Sequence, residues 1–383
     1  MLFLRGIYVY VWIQYLLKLI DSINGVHTLE IFRARAPLRI SFGGGGTDVN
    51  PFASQYGGYV LNATIKKYAY TSINLTQDSK VTVQSFDLNN TTEFCSSTLE
   101  SDNDDCSFVR SVYKHLVSQP KGLRVVTHSD APPGSGLGSS SAMMVSIISA
   151  FKAMENLEMS QYDIGRLAHD IERLELKQLG GMQDQYAAAF GGFNFMEFDG
   201  DSVLVNTLRM DPWVIRELEY NLILVYTKKS RLSSNIIEDQ IRNVEANNKG
   251  HIEAMMHVKQ HAQDMKRLLL TGKANEFGEL LHQEWQEKKK MAASISNESL
   301  DEMYDEARKA GAIGGKVSGA GGGGFMMFYC ENNKKGNVVA ALEKMGASCE
   351  SFQFEFEGVE SWKNYRKTNA IKPAFLKNNT IKL

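Results

Sequence analysis

The stretch APPGSGLGSSSAMM, Ala131 to Met144, constrains this chain more than any other. Gly134, Gly136 and Gly138 alternate with Ser135 and Leu137, Ser139, Ser140 and Ser141 follow, and the sequence then turns apolar. Glycine loses more freedom on folding than any other residue. A run of it belongs where the backbone must take φ > 0, or where another backbone or a ligand comes close. GLRVVTHSD ahead of the run reads as a strand, and SSSAMMVSIISAFKAME behind it as a helix. The first turn of a helix offers unpaired N–H groups and the positive end of the dipole. A glycine loop feeding that end makes an anion cradle, best suited to phosphate. The serine hydroxyls can bond phosphate or reach a metal ion. A tight turn closed by a serine cap accounts for one glycine, but not for this string.

Three common nucleotide loops fail here. Walker A requires a lysine after its last glycine, and Ser139 stands there. The dinucleotide fingerprint needs glycine at Ser139, and the acidic residue expected some twenty positions on falls within a helix. The protein-kinase loop lies between strands, and its HRD and DFG partners are missing.

The rest of the chain frames the loop. IFRARAPLRISF alternates like a strand and runs into GGGGTD; GYVLNATIKKYAYTSINLT and KVTVQSF are β-rich. Residues 107–118 read as a helix, as does SQYDIGRLAHDIERLEL with Ser160 as its N-cap. NLILVYTK opens a second unit near residue 215, residues 236–292 are helical and heavily charged, and IGGKVSGAGGGGFMMFYC is a second glycine-rich turn followed by a strand. A helix near 336–345 and a strand over SCESFQFEFEG close the pattern. The 383 residues suffice for two domains. Strands and helices mix without steady βα alternation, which predicts an α+β fold in two layers rather than a doubly wound sheet.

Composition mainly excludes. A net charge of −2 gives no basic field to draw nucleic acid. Cys95, Cys106, Cys330 and Cys349 form no CxxC pair, so no zinc site or disulfide framework is suggested, in keeping with a cytoplasmic location. Gly6 to Ile20 is apolar and aromatic, carries Lys18, and is short for a membrane span. No small-residue cleavage site follows it. Domain patterning begins only near Ile31, so residues 1–31 are read as an N-terminal extension, from a translation start upstream of the real one in preference to an amphipathic or packing helix. A chain beginning at Arg33 is expected to fold and turn over normally.

PPGSGLGSSSA, Pro132 to Ala142, resembles the ATP-phosphate motif of the GHMP kinases. APLRISFGGGGTD (Ala36 to Asp48) is similar to the family's N-terminal motif and KVSGAGGGGFMMF (Lys316 to Phe328) to its C-terminal one, in the expected order. Within the family, these stretches and GGMQDQYAAAFGGFNFMEF look most like the D-glycero-D-manno-heptose 7-phosphate kinases, which phosphorylate the anomeric hydroxyl. The resemblance implies a two-lobed fold: a ribosomal-protein-like α+β domain over 32–212 and a ferredoxin-like α+β domain over 213–383. It implies ATP and Mg2+, a small-molecule sugar phosphate as acceptor, no nucleic acid or membrane partner, and leaves room for a homodimer.

Residue by residue, the resemblance gives Pro133, Gly134, Ser135, Gly136, Leu137, Gly138, Ser139, Ser140 and Ser141 to the nucleotide. Ser140 and Glu172 match the metal-contacting serine and glutamate. Asp184, in GGMQDQ, matches the aspartate that accepts or orients the acceptor's proton, and Arg39 its cationic partner; in a loose transition state the base role is debatable. Gly46 stands where galactokinases carry a sugar-contacting histidine, which counts against galactose. Gly45, Gly46, Thr47, Asp48 and Gly319 are expected around the sugar. A phosphosugar needs a second cation: Lys316 ranks first for its glycine-rich setting, ahead of Lys288, Lys289 and Arg35. The competing expectations are another sugar-1-kinase, of fucose or galactose type, and a regulator that binds ATP and sugar without turnover.

Overall fold

A computed structural model describes residues 26–100, 104–229 and 233–369. Two sheets organise them. The larger has eight strands. β1 (Val26–Gly43) and β2 (Gly58–Thr76) form its centre, with β3 (Lys80–Ser85), β4 (Asn90–Cys95) and β5 (Gly122–Ser129) on one side. β6 (Phe193–Asp199) and β7 (Ser202–Thr207) extend it from the far end of β2. All pairings are antiparallel except β3 with β5. The second sheet has four strands in the order β11-β8-β10-β9, where β8 is Leu222–Tyr226, β9 Ala312–Val317, β10 Phe325–Cys330 and β11 Ser348–Glu350.

The helices follow from their apolar faces. The helix after the glycine loop, α3 (Ser139–Glu155), buries Met144, Val145, Ile148 and Phe151 against Phe32, Ile40 and Ile73 of β1 and β2. Two shorter helices precede it, α1 (Phe52–Tyr56) and α2 (Ser107–Leu116). After it comes α4 (Gln161–His169), which opens with a reciprocal capping box between Ser160 and Asp163. The helix expected to continue through DIERLEL instead widens into a π-turn over Asp170–Glu175. Then come α5 (Gln183–Phe190) and α6 (Pro212–Asn221), and three helices from the charged stretch: α7 (Ser233–Glu245), α8 (Lys249–Leu270) and α9 (Ala274–Lys290). α10 (Glu298–Ala310) and α11 (Asn332–Lys344) complete the set.

Strand periodicity joins the two sheets. Along β10, Phe325, Met327 and Tyr329 point into the core shared with the large sheet, while Met326 and Phe328 point into a second core with Trp285 and Tyr304. Leu222 and Leu224 of β8 face the first core, Ile223 and Val225 the second. The small sheet is therefore apolar on both faces and covered on both. No helix among the described residues is long and apolar enough to cross a membrane.

The chain's last described strand corrects two expectations. β12 (Glu360–Asn369) pairs antiparallel with β1 and so belongs to the first sheet, not to a unit running from 213 onward. Its partners run from Arg35 back to Val26, so residues 26–31 are part of that sheet rather than an extension; residues 1–25 lie outside the described residues. The strand expected over SCESFQFEFEG is only β11. Beyond it, Phe352 and Phe354 turn into the first core and Phe354 bridges Ile65, so the apolar alternation serves a covering loop. A chain beginning at Arg33 loses the strand partners of residues 363–369 and two buried side chains, Ile31 and Phe32, worth about 1.5–3 kcal/mol each. Chemical denaturation should show it less stable than a chain beginning at Val26 by about 3 kcal/mol or more. Equal stabilities would show that the β1–β12 end pairing contributes nothing.

Candidate active site

β1 delivers two pieces of the site. Arg39 lies on it, and GGGGTD follows it. Gly44, at φ 81°, passes so close to β2 that a side chain would strike Tyr59 O. The Thr47 hydroxyl lies 2.8 Å from Gly44 O and 2.9 Å from Tyr59 O, and accepts from the Tyr59 N–H at 3.1 Å. Fully buried, Thr47 holds the loop to β2 and does not reach the cavity, which corrects its expected place among the sugar ligands. Asp48 accepts from the N–H groups of Gly46 and Gln183, each at 3.0 Å. It thereby ties the loop to the first turn of α5, and it also lines the cavity.

The glycine loop is shaped as its sequence implies. Gly134, Gly136 and Gly138 all take positive φ, between 71° and 78°. Gly138 is the N-cap of α3. The second glycine-rich turn packs directly on it: a Cβ on Gly136 would sit 2.4 Å from Ser318 O, and one on Gly324 2.4 Å from Ser135 O. Ser135 and Leu137 point away from the cavity. Ser135 is buried, with its hydroxyl accepting from Leu137 N at 3.4 Å and its carbonyl from Phe325 N at 2.9 Å. Leu137 joins the core. These two residues build the loop rather than line the site.

Two cavities meet at the head of α3. One, of about 220 Å³, lies between the lobes and is lined by both glycine turns, by Gly45, Gly46 and Asp48, and by Asp184. The other, of about 490 Å³, has an apolar wall of Leu88, Phe108, Val109 and Met143 with Pro133 at its edge. They share Gly134, Ser139 and Ser140. A nucleoside on the apolar side and an acceptor on the polar side would put phosphate at the helix N-terminus between them.

The charged groups of the polar cavity come from four elements. Arg39 donates to Asp184 through Nε (2.7 Å) and Nη2 (2.9 Å), and through Nη1 to Gly136 O (2.6 Å). The pair thus fixes β1, α5 and the phosphate loop to one another. Asp184 sits in the first turn of α5, but its carboxylate serves Arg39, not the helix end. Glu172 is fully buried, with Oε1 3.4 Å from Ser140 Oγ and Oε2 accepting from the Gln185 amide. Burial pushes its carboxyl up, opposed first by Arg173 and then by Gln185 and Ser141.

The cations are where sequence ranking fails. Lys316 is fully buried, with Nζ donating to Phe42 O (2.9 Å) and Glu284 Oε1 (3.2 Å). Burial works to raise the Glu284 carboxyl, but Lys316, and then His261, outweigh it and hold it below its ordinary value. This pair braces the lobes and leaves no cation for a ligand, which corrects Lys316 as a substrate residue. Arg35 and Lys289 are paired with Glu360 and Asp301 away from the cavity. Lys288 lines it, with Nζ 2.8 Å from Gly319 O and 3.5 Å from Gly45 O. Burial, then the neighbouring Lys316, pulls its amine down to about 7. Sequence reasoning missed Gln183, Gln185 and Arg173, all in the cavity or its support. Gly180 and Gly181 were the available signal. A Cβ on Gly180 would lie 2.4 Å from Arg173 Nη2, and one on Gly181 would overlap the Asp48 carboxylate.

A glycine-rich loop at a helix N-terminus, facing an acidic, cation-flanked cavity between two α+β lobes, is an arrangement that suits a small-molecule phosphotransferase. The comparisons agree. Residues 107–192 match the GHMP kinase N-terminal domain, and 265–349 the GHMP kinase C-terminal domain. The D-glycero-alpha-D-manno-heptose 7-phosphate kinase of Campylobacter jejuni is 38% identical over 88% of this chain and all of that protein. The bifunctional fucokinase/GDP-fucose pyrophosphorylase of Arabidopsis thaliana is 26% identical over 81% of this chain and 31% of its own length. Among solved structures, a kinase from Bacteroides thetaiotaomicron, titled as acting on D-glycero-D-manno-heptose 1-phosphate, superposes with a TM-score of 0.74 at 38% identity, over 88% of this chain and all of its own. Lactococcus lactis galactokinase superposes at 0.69 and 20% identity, over 86% and 95%, a likeness of fold. The chain belongs to the GHMP kinase family. It is an ATP-dependent sugar kinase.

Asp184→Asn is nearly isosteric, but it removes the carboxylate charge and turns an NH2 toward one of the two Arg39 donors. Turnover should fall by ~10²-fold or more while ATP affinity stays nearly unchanged. Steady-state kinetics beside ATP titration checks this, and equal turnover would remove Asp184 from the mechanism.

Proposed function

We propose that this kinase transfers the γ-phosphoryl group of ATP to the anomeric hydroxyl of D-glycero-D-manno-heptose 7-phosphate, giving the 1,7-bisphosphate. The observation that carries the reading is Lys288. It faces the acceptor cavity beside Gly45, where a Cβ would come within 3.2 Å of its Nζ. Gly46, beside Met291 and Gln240, likewise adds no side chain. Without side chains, the glycine pair lets the loop pack against Lys288, Met291 and Gln240, and the Lys288 amine stands at the cavity wall, where it suits an acceptor anionic at its far end. The name of the Campylobacter jejuni relative supports the same class of acceptor.

Asp48 would hold sugar hydroxyls, since a carboxylate accepts from two at once. Asp184, oriented by Arg39, receives or aligns the proton of the reacting hydroxyl. The glycine loop and the first N–H groups of α3 hold the nucleotide phosphates. Ser140 and Glu172 suit Mg2+: they offer two hard oxygens at the cavity wall, and the buried Glu172 charge lacks a close partner of its own strength. Mg2+ held there would neutralise charge on the phosphates during transfer.

The first test is kcat/KM for heptose 7-phosphate against heptose, galactose and fucose. Charge-assisted bonds to the remote phosphate should favour the phosphosugar by roughly 10²–10⁴. Lys288→Met should remove much of that preference with ATP affinity little changed. A free sugar preferred by the wild type would refute the heptose reading and leave the kinase intact.

Lys288 also fixes a pH dependence. Its folded value of about 7 lies below the 10.5 of an ordinary lysine. The unfolded chain therefore binds the extra proton between these values. The stability lost to burying the charge is lost in full below about 7 and recovered as pH rises towards 10.5. The anion site works in the opposite sense, because only the ammonium form attracts phosphate. Log kcat/KM for the phosphosugar should fall as pH rises through about 7, with no such fall for a free sugar. Parallel pH profiles for the two acceptors would separate Lys288 from the phosphate.

A further inference from the structure

The π-turn after α4 changes where two adjacent side chains go. A π-turn inserts an extra residue into a helical turn, and such insertions gather at functional sites. Here Glu172 is turned inward against Ser140, and Arg173 follows it on the same wall of the polar cavity. The Arg173 guanidinium lies against Gly180, and its Nε donates to Gly181 O at 3.3 Å. No other acceptor for it is found among the described residues, so most of its five donors stay available. Of the neighbouring cations, Arg39 is spent on Asp184 and Gly136 and Lys316 on Glu284, while Lys288, beside Gly45 and Gly319, is the one proposed for the acceptor's remote phosphate.

We propose that Arg173 is a catalytic residue that donates to the oxygens of the phosphoryl group in flight. In that step the acceptor oxygen forms a bond to Pγ and releases its proton to Asp184. The bond from Pγ to the bridging oxygen breaks, and its electron pair leaves on ADP. The three oxygens of the transferring group carry charge throughout, and a planar fork meets two of them at once. Arg173 lines the same cavity as Ser139 and Ser140, and it is the first charge acting on Glu172, whose carboxylate reaches Ser140; on that ground its fork is assigned to Pγ. Gly180 is then explained by the space the guanidinium occupies, since it does not have positive φ.

The proposal needs phosphoryl transfer from ATP and holds for any acceptor sugar, so its failure and that of the heptose reading are separable. Arg173→Gln in the full chain should lower kcat by ~10²-fold or more, by a similar factor for heptose 7-phosphate and for a free sugar. KM values for ATP and acceptor should change little. Arg173→Lys should recover part of the loss. ADP with aluminium fluoride and acceptor, a mimic of the planar phosphoryl group, should bind more weakly to Arg173→Gln, while a non-hydrolysable ATP analogue binds equally. Gly180→Ala, which displaces the guanidinium without altering its charge, should lower kcat in the same way and covers the case in which Arg173→Gln melts early. Unchanged kcat in all three variants overturns the proposal. So does a loss confined to the phosphorylated acceptor, which would assign Arg173 to the remote phosphate.

Discussion

The pairing of Arg39 with Asp184 holds the site together. One guanidinium bonds both oxygens of a carboxylate on α5 and a carbonyl in the phosphate loop, from a strand at the centre of the large sheet. Its side chain is only 5% exposed, so the charge has no water to fall back on. A buried guanidinium that loses its carboxylate leaves an uncompensated charge, at a cost of about 3–5 kcal/mol. The same contact that orients the carboxylate proposed as proton acceptor therefore keeps three segments in register. Catalytic geometry and local stability depend on one ion pair.

Around this pair, glycine acts in two different ways. In the phosphate loop it supplies backbone conformation, and it lets the second glycine turn from the other lobe press on the loop at van der Waals distance. At Gly180 and Gly181 the backbone is ordinary, and the missing side chains make room for Arg173 and Asp48. The first kind of glycine brings two lobes together. The second admits charged groups into a wall that would otherwise be filled.

Much of this was legible in the sequence. The strand, glycine and serine order around Gly134 carried the positive-φ loop at the head of α3. Arg39, Asp48, Asp184, Ser140 and Glu172 were carried by motifs and meet in one cavity. What the sequence hid was the direction of side chains whose surroundings come from distant segments. Lys316 and Lys288 are both lysines near glycine-rich or charged stretches. Only the packing of α9 against β9 decides that Glu284 takes the first, while the second reaches the cavity. Thr47 looked like a sugar ligand until β2 supplied partners for its hydroxyl. Arg173 sat in what read as an unbroken helix. A single inserted residue, invisible to a 3.6-residue period, turned it toward the site.

The return of β12 to the side of β1 has a mechanical meaning. The second lobe is an insertion between two strands of the first sheet, fastened at both ends: through the stretch that follows β7 and through the loop that carries Phe352 and Phe354 into the common core. A lobe held by one connection can swing in any direction. One held by two turns about the line joining its fastenings, as a door turns on paired hinges. A turn about that line would part the two glycine turns that pack on each other, so the paired connections and the shared core hold those turns in one register.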